Sequence, residues 1–104
     1  MKNTTVTRSN HPGRILAKYL DERNWSQKTF AELIGKSPVE INYIIKGKKD
    51  INADFAIRFS IVFGTSAEVW TNLQEKYDLY KASQSTKQNE YVAIEERLKT
   101  FAFA

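Results

Sequence analysis

The chain has 104 residues, 41% of them hydrophobic, with 16 basic against 12 acidic side chains, one histidine and no cysteine. This is one domain's worth of material, and the absence of thiols excludes disulfides and thiolate metal sites and fits a reducing cytoplasm. No apolar run approaches the ~18 residues of a membrane span and no signal-peptide core opens the chain, so the expectation is a soluble, cytoplasmic protein with no membrane contact.

Residues 1–10 are polar, without periodic pattern, and read as a flexible N-terminal arm. His11-Pro12-Gly13 then opens a helix that runs to about Arg23 and places Ile15, Leu16, Tyr19 and Leu20 on one face. Ser26 has the chemistry of an N-cap for a second helix. Trp25 before it and Phe30 within it are spaced as a hydrophobic staple, and Gly35 stands where a positive φ would end the helix. The third helix is bounded most sharply: Ser37 as N-cap, Pro38 at the first position, Glu40 completing a capping box, and Gly47 closing it.

Asn52 caps a fourth helix, in which Phe55, Ile57, Phe59, Ile61, Val62 and Phe63 predict the most buried element, stopped by Gly64. Thr65 with Glu68 predicts a capping box for a fifth helix that carries Val69, Trp70, Leu73 and Tyr77 on one face. Five helices with short connections make an all-α bundle spanning residues 11–80, and no hairpin signal supports a sheet. Residues 81–104 read as a polar linker, KASQSTKQN, followed by an amphipathic helical tail with Tyr91, Ile94, Leu98 and Phe101. That stripe either packs on the domain, joins a dimer, or folds on a partner.

The third helix divides its faces. At about 100° per residue Ile41, Ile44 and Ile45 fall on one side and Val39, Asn42, Tyr43 and Lys46 on the other. With the isoleucines inward, an amide, a phenol, an ammonium and a small apolar group look out. Asn can pair bidentately with adenine, Val can touch a thymine methyl, and Lys or Tyr can reach guanine or phosphate. Such a stripe is also the make-up of an ordinary solvated helix face, and charge bears on the choice. Through Lys49 the chain holds ten basic and four acidic residues, against six and eight from Asp50 onward. Lys28, Lys36, Lys46, Lys48 and Lys49 lie in or just beyond the helix pair, and the last three could meet a phosphate strand or simply complement a helix C-terminus. Two helices joined by a tight turn, with a polar face left on the second and lysines around it, outline a helix-turn-helix DNA reader.

Catalysis finds little support. The only imidazole, His11, stands beside Pro12 at a helix entrance, where capping or solvent exposure is expected, and no cysteine or paired serine is available to it. The adjacent pairs Asp21-Glu22 and Glu95-Glu96 diverge on a helix, and no metal-spaced ligand set or phosphate loop occurs, so neither enzyme activity, metal nor cofactor is expected.

The runs His11-Pro12-Gly13-x-Ile15-Leu16, Trp25-Ser26-Gln27, Ala31-x-Leu33-Ile34-Gly35-Lys36-Ser37-Pro38, Ile41-x-x-Ile44-Ile45-x-Gly47-Lys48 and Phe63-Gly64-Thr65-Ser66-x-x-x-Trp70-x-Asn72-Leu73-Gln74-x-x-Tyr77-Asp78-Leu79 together resemble the HigA-type antitoxins, also called virulence-associated protein I, within the lambda-repressor-like Cro/C1 class. The resemblance covers about residues 11–80. It implies a five-helix lambda-repressor-like bundle and a homodimer that represses its own operon from an inverted-repeat operator in double-stranded DNA. It also implies an antitoxin of a type II toxin-antitoxin system that neutralises a HigB-type mRNA-cleaving toxin. By the same resemblance Gln27 touches phosphate, the helix beginning at Ser37 enters the major groove, and Trp70, Leu73 and Tyr77 contribute to the dimer contact, with Trp70 mostly core and Tyr77 nearer the boundary. The family commonly carries Glu at position 14, small hydroxyl residues at 39, 40 and 42, and Asn at 46. This chain has Arg14, Val39, Glu40, Asn42 and Lys46 there, which implies a shared scaffold with a different operator. The alternative is a stand-alone Cro/C1-type transcriptional regulator with no toxin partner.

Overall fold

The computed structural model describes residues 6–85 and 87–102, and its six helices are α1 (Pro12–Arg23), α2 (Gln27–Ile34), α3 (Pro38–Ile45), α4 (Ala53–Phe63), α5 (Ala67–Ser83) and α6 (Gln88–Ala102). No strand occurs among the described residues, as an all-α bundle requires. Residues 1–5 of the expected arm lie outside the described residues, and residues 6–10 carry no regular structure.

The N-terminus of α1 shows why its opening tripeptide has this composition. The His11 ring caps the helix, with Nδ1 accepting from the Gly13 backbone N–H at 2.9 Å, and Pro12 occupies the first turn, where no donor is lost. Gly13 sits against the end of α3 so tightly that a methyl group there would overlap the Ile44 carbonyl oxygen. The glycine is required by close approach of two backbones rather than by its own φ.

α2 and α3 begin on the serines predicted. Ser26 Oγ accepts from the Thr29 N–H at 3.0 Å. Ser37 Oγ accepts from the Glu40 N–H at 3.1 Å while the Glu40 carboxylate reaches back to the Ser37 N–H at 3.4 Å, completing the box. Glu40 is thereby used structurally. Trp25 and Phe30 meet through Phe63, which stacks on both, with ring centroids 6.3 and 5.3 Å apart.

The bundle closes on Leu16 and Leu20 of α1, Phe30 and Ile34 of α2, Ile41 and Ile44 of α3, Phe55 and Phe59 of α4 and Trp70 of α5, all buried. Side chains of this kind contribute about 1.5–3 kcal/mol each on burial, so five short helices that would be marginal alone hold one another in place. Gln74 is a buried polar strut between α5 and the approach to α4. Its Oε1 accepts from the Ile51 N–H at 2.8 Å and its Nε2 donates to Asp78 at 2.9 Å.

Three details differ from the expectation. α4 is buried along Phe55, Ala56 and Phe59, but Ile57 and Ile61 lie on its outer face, Ile61 being 76% exposed, because no described element covers that side. The cap of α5 is Ser66, which accepts from the Val69 N–H at 3.3 Å, one residue later than Thr65; the Thr65 hydroxyl instead receives the Trp70 indole N–H at 3.0 Å, a partner that becomes available only on folding. α5 also continues through Lys81, Ala82 and Ser83, residues that break no helix, with the Lys81 ammonium 5.7 Å from the Tyr77 ring one turn back. α6 stands off the bundle, leaving Ile94, Leu98 and Phe101 exposed and extending the molecule to 61 Å. It does not pack on the domain, the first of the three fates open to the tail.

Candidate nucleic-acid interface

The interface is built on α3, and its orientation is fixed from inside. Ile41 and Ile44 have no exposed surface and Ile45 is half-buried, so the opposite stripe must face outward. Val39 is 59% and Tyr43 47% exposed, Lys46 is exposed, and Asn42 is half-buried. Val39, Tyr43 and Lys46 are open to solvent, and Asn42 is partly covered by Gln27 of α2. The C-terminus of α3 closes in a Schellman turn: the Gly47 N–H donates to Ile44 O at 3.0 Å and the Lys48 N–H to Tyr43 O at 2.8 Å, with Gly47 at φ +77°. That turn leaves Lys48 exposed just beyond the outward stripe.

α2 supports the reading helix through a polar contact that the sequence did not disclose. Asn42 Nδ2 donates to Gln27 Oε1 at 3.1 Å, joining the first residue of α2 to the middle of α3. The bond consumes one of the two amide hydrogens of Asn42. Its other hydrogen and its Oδ1 remain, which is the donor and acceptor pair that adenine N7 and N6 require. Gln27 in turn keeps its own amide group as a donor for phosphate. Holding the Asn42 rotamer before contact lowers the entropy cost of reading a base.

The lysines divide into two groups. Lys28 on α2 and Lys46 and Lys48 around the α3 terminus are exposed and point to solvent. Lys36 is largely buried, with Nζ 3.3 Å from Asp54 Oδ2 and 5.0 Å from the centre of the Phe55 ring. Lys49 is half-buried, its ammonium 5.7 Å from the same ring. Among the lysines, Lys28, Lys46 and Lys48 therefore supply the positive field, and Lys36 serves to dock α2 onto α4. Ser37, expected in the groove, has its hydroxyl within the capping box, accepting from Glu40 N–H and 3.3 Å from the carboxylate.

Asp54 gathers that docking. Arg58 Nε bonds its Oδ2 at 2.9 Å, and Arg58 Nη1 donates to the Ile34 carbonyl at the end of α2. The Arg58 hydrogen bond, the largest influence, holds the Asp54 carboxyl below its ordinary value of 3.8; desolvation opposes it, and the Lys36 contact adds a lesser lowering.

Of the residues expected at a subunit boundary, Trp70 is fully buried in its own subunit's core and offers no surface, in keeping with the larger part of the role anticipated for it. Leu73 and Tyr77 are half-buried, and the Tyr77 ring meets His11 edge-on at 5.0 Å. His11 is buried rather than solvent-exposed. With Nδ1 accepting, its Nε2 carries the proton directed to Asp50 Oδ1 at 3.2 Å. Among the described residues no group of three or more His, Asp or Glu could hold a metal ion, and no helix is long and apolar enough to cross a membrane.

Paired short helices, a buried isoleucine seam and an outward amide, phenol and ammonium define a helix-turn-helix DNA-binding module. The helix-turn-helix family model matches residues 16–70, and the chain belongs to that family, as a Cro/C1-type domain. It is 40% identical over 75 residues to virulence-associated protein I of Dichelobacter nodosus, spanning 71% of this chain and 69% of that one. It is 34% identical over 79 residues, 74% of this chain and 84% of the other, to the uncharacterized HTH-type transcriptional regulator YddM of Escherichia coli K12. Among solved structures, the Pseudomonas aeruginosa antitoxin HigA with the higBA promoter superposes with a TM-score of 0.75 at 36% identity, over 79% of this chain and 90% of that one.

Proposed function

We propose that the protein is the DNA-binding antitoxin of a type II toxin-antitoxin system, which represses its own operon as a homodimer and neutralises a HigB-type mRNA-cleaving toxin. The observation that carries the DNA half is the stripe Val39, Asn42, Tyr43 and Lys46, turned outward by two completely buried isoleucines and steadied by Gln27. The structural relative with its promoter supports the operator as target, and its name supports the antitoxin role.

In this reading α3 enters the major groove, Asn42 pairs with adenine, Val39 meets a thymine methyl, and Tyr43 and Lys46 reach the neighbouring base or phosphate. Gln27, Lys28 and Lys48 hold the flanking strand, with Lys49 at the edge. A dimer joined along α5, with Leu73 and Tyr77 at the boundary, sets two recognition helices about 34 Å apart, so the operator is an inverted repeat read in successive major grooves. The E. coli relative favours one second reading, a transcriptional regulator without a toxin.

Toxin engagement separates the two. A footprint on the protein's own promoter together with co-expression of a toxin-sized reading frame adjacent to its gene tests both halves. The antitoxin reading expects a protected inverted repeat and rescue of growth arrested by the toxin. Protection with no toxin frame, or no rescue by the intact protein, leaves the regulator; absence of any protected repeat refutes both.

A further inference from the structure

The recognition stripe does not end at Lys46. A shallow cleft of about 310 Å³ begins there, and its walls bring three cations from separate segments together: Arg8 ahead of α1, Arg14 in the first turn of α1, and Lys46 at the end of α3. Tyr77 and Tyr80 of α5 supply its aromatic wall. Among the described residues none of the three cations has a carboxylate partner or any other side-chain polar contact, whereas Lys36 and Arg58 share Asp54 of α4. Asp50 does not line the cleft and is engaged by His11.

Three like charges around one concavity, with no described carboxylate to offset them, give it a positive potential that favours an anion. Two guanidinium groups and an ammonium present a dense set of donors suited to the oxygens of a phosphate, with two phenols as neutral donors beside them. Lys46 belongs both to this cleft and to the outward stripe of α3. A duplex seated on α3 therefore carries its sugar-phosphate strand toward the cleft mouth.

We propose that this cleft is a second phosphate-binding site that takes the DNA backbone beyond the groove read by α3, with Arg8 and Arg14 as its principal ligands. It extends the DNA-binding reading and rests on it. Neither arginine reads a base here, so the site adds affinity and register without sequence preference.

The test uses the full chain and its Arg8→Gln/Arg14→Gln double variant, with binding to the operator and to an unrelated duplex of equal length followed by fluorescence anisotropy across a salt series. Both arginines are exposed, so the melting temperature should not move. The proposal expects a loss of about tenfold or more on both duplexes alike, with the slope of log affinity against log salt shrinking by about one to two. An operator-binding wild type whose double variant keeps its affinity and slope overturns the cleft and leaves the reading helix standing; a wild type that binds no duplex overturns both. Titration with inorganic phosphate, followed at the Gly47 amide by NMR, distinguishes the source. Phosphate binding lost in the variant, with an unchanged duplex slope, would make the cleft a free-anion site and overturn the backbone assignment.

Discussion

Gly13→Ala is the substitution whose outcome the geometry and local propensity predict with opposite signs. In an exposed helix, replacing glycine with alanine gains about 1 kcal/mol. Here the new Cβ would run into the Ile44 carbonyl oxygen and stand 3.0 Å from Ile45 Cα, both of them backbone and unable to rotate away. Relief requires α1 to move off α3, loosening Leu16 against Ile41 and Ile44. Overpacking of this kind costs about 1–3 kcal/mol, and a backbone obstacle puts it toward the upper end. At about 4–8 °C per kcal/mol for a domain near this size, the melting temperature should fall by roughly 10–20 °C. Gly64→Ala is the internal control: nothing lies within 4 Å of its Cβ, but φ is +71°, so only the left-handed strain of about 1 kcal/mol applies. Thermal unfolding followed by circular dichroism measures both. A Gly13→Ala protein that melts at or above the wild type would show that α1 and α3 do not approach as described, and with that the placement of the recognition helix would fail.

Other consequences can be checked alongside. Gln74→Leu leaves the buried Ile51 N–H without its acceptor and should cost about 1–3 kcal/mol in urea unfolding; a neutral result would mean that the amide finds another partner. Lys48→Ala should weaken binding to all DNA alike and lower the salt slope by about one, whereas Lys36→Ala, its ammonium already on Asp54, should leave the slope near the wild-type value. Equal effects would contradict the division of the lysines. The folded-state pKa of Asp54 is depressed, so its stabilisation is fully present above the ordinary value of 3.8 and is lost as pH falls through the lower folded value. The gap in melting temperature between wild type and Asp54→Asn should therefore hold from about pH 7 to 5 and close under acid conditions; a gap independent of pH would remove the ion pair from the account.

Much of the scaffold was legible because its signals are local. The starts of α2, α3 and α4 rest on Ser26, Ser37 and Asn52, each bonding a backbone N–H three residues on, and the direction of α3 follows from the spacing of Ile41, Ile44 and Ile45 alone. What escaped depends on side-chain partners that only the folded bundle decides, most of them distant in sequence. Ile57 and Ile61 are as apolar as their buried neighbours, and they lie outside because none of the described helices covers them. The Trp70 indole claims Thr65, which moves the α5 cap to Ser66. In the interface, the Gln27–Asn42 bond spans fifteen positions and the Lys36–Asp54 pair eighteen, separations at which spacing carries no signal. His11 caps α1 as its position at the helix entrance suggested, and only its burial, with Tyr77 against the ring, was not legible.

The most direct test of the central claim compares operator affinity for the wild type, Asn42→Ala and Tyr43→Ala by fluorescence anisotropy at fixed salt. Both positions lie on the outward stripe and neither fills the core, so folding should be retained while each variant loses about 1–3 kcal/mol on the cognate site and discriminates less among base changes there. Folded variants that bind the operator as tightly and as selectively as the wild type would show that this face of α3 does not read DNA.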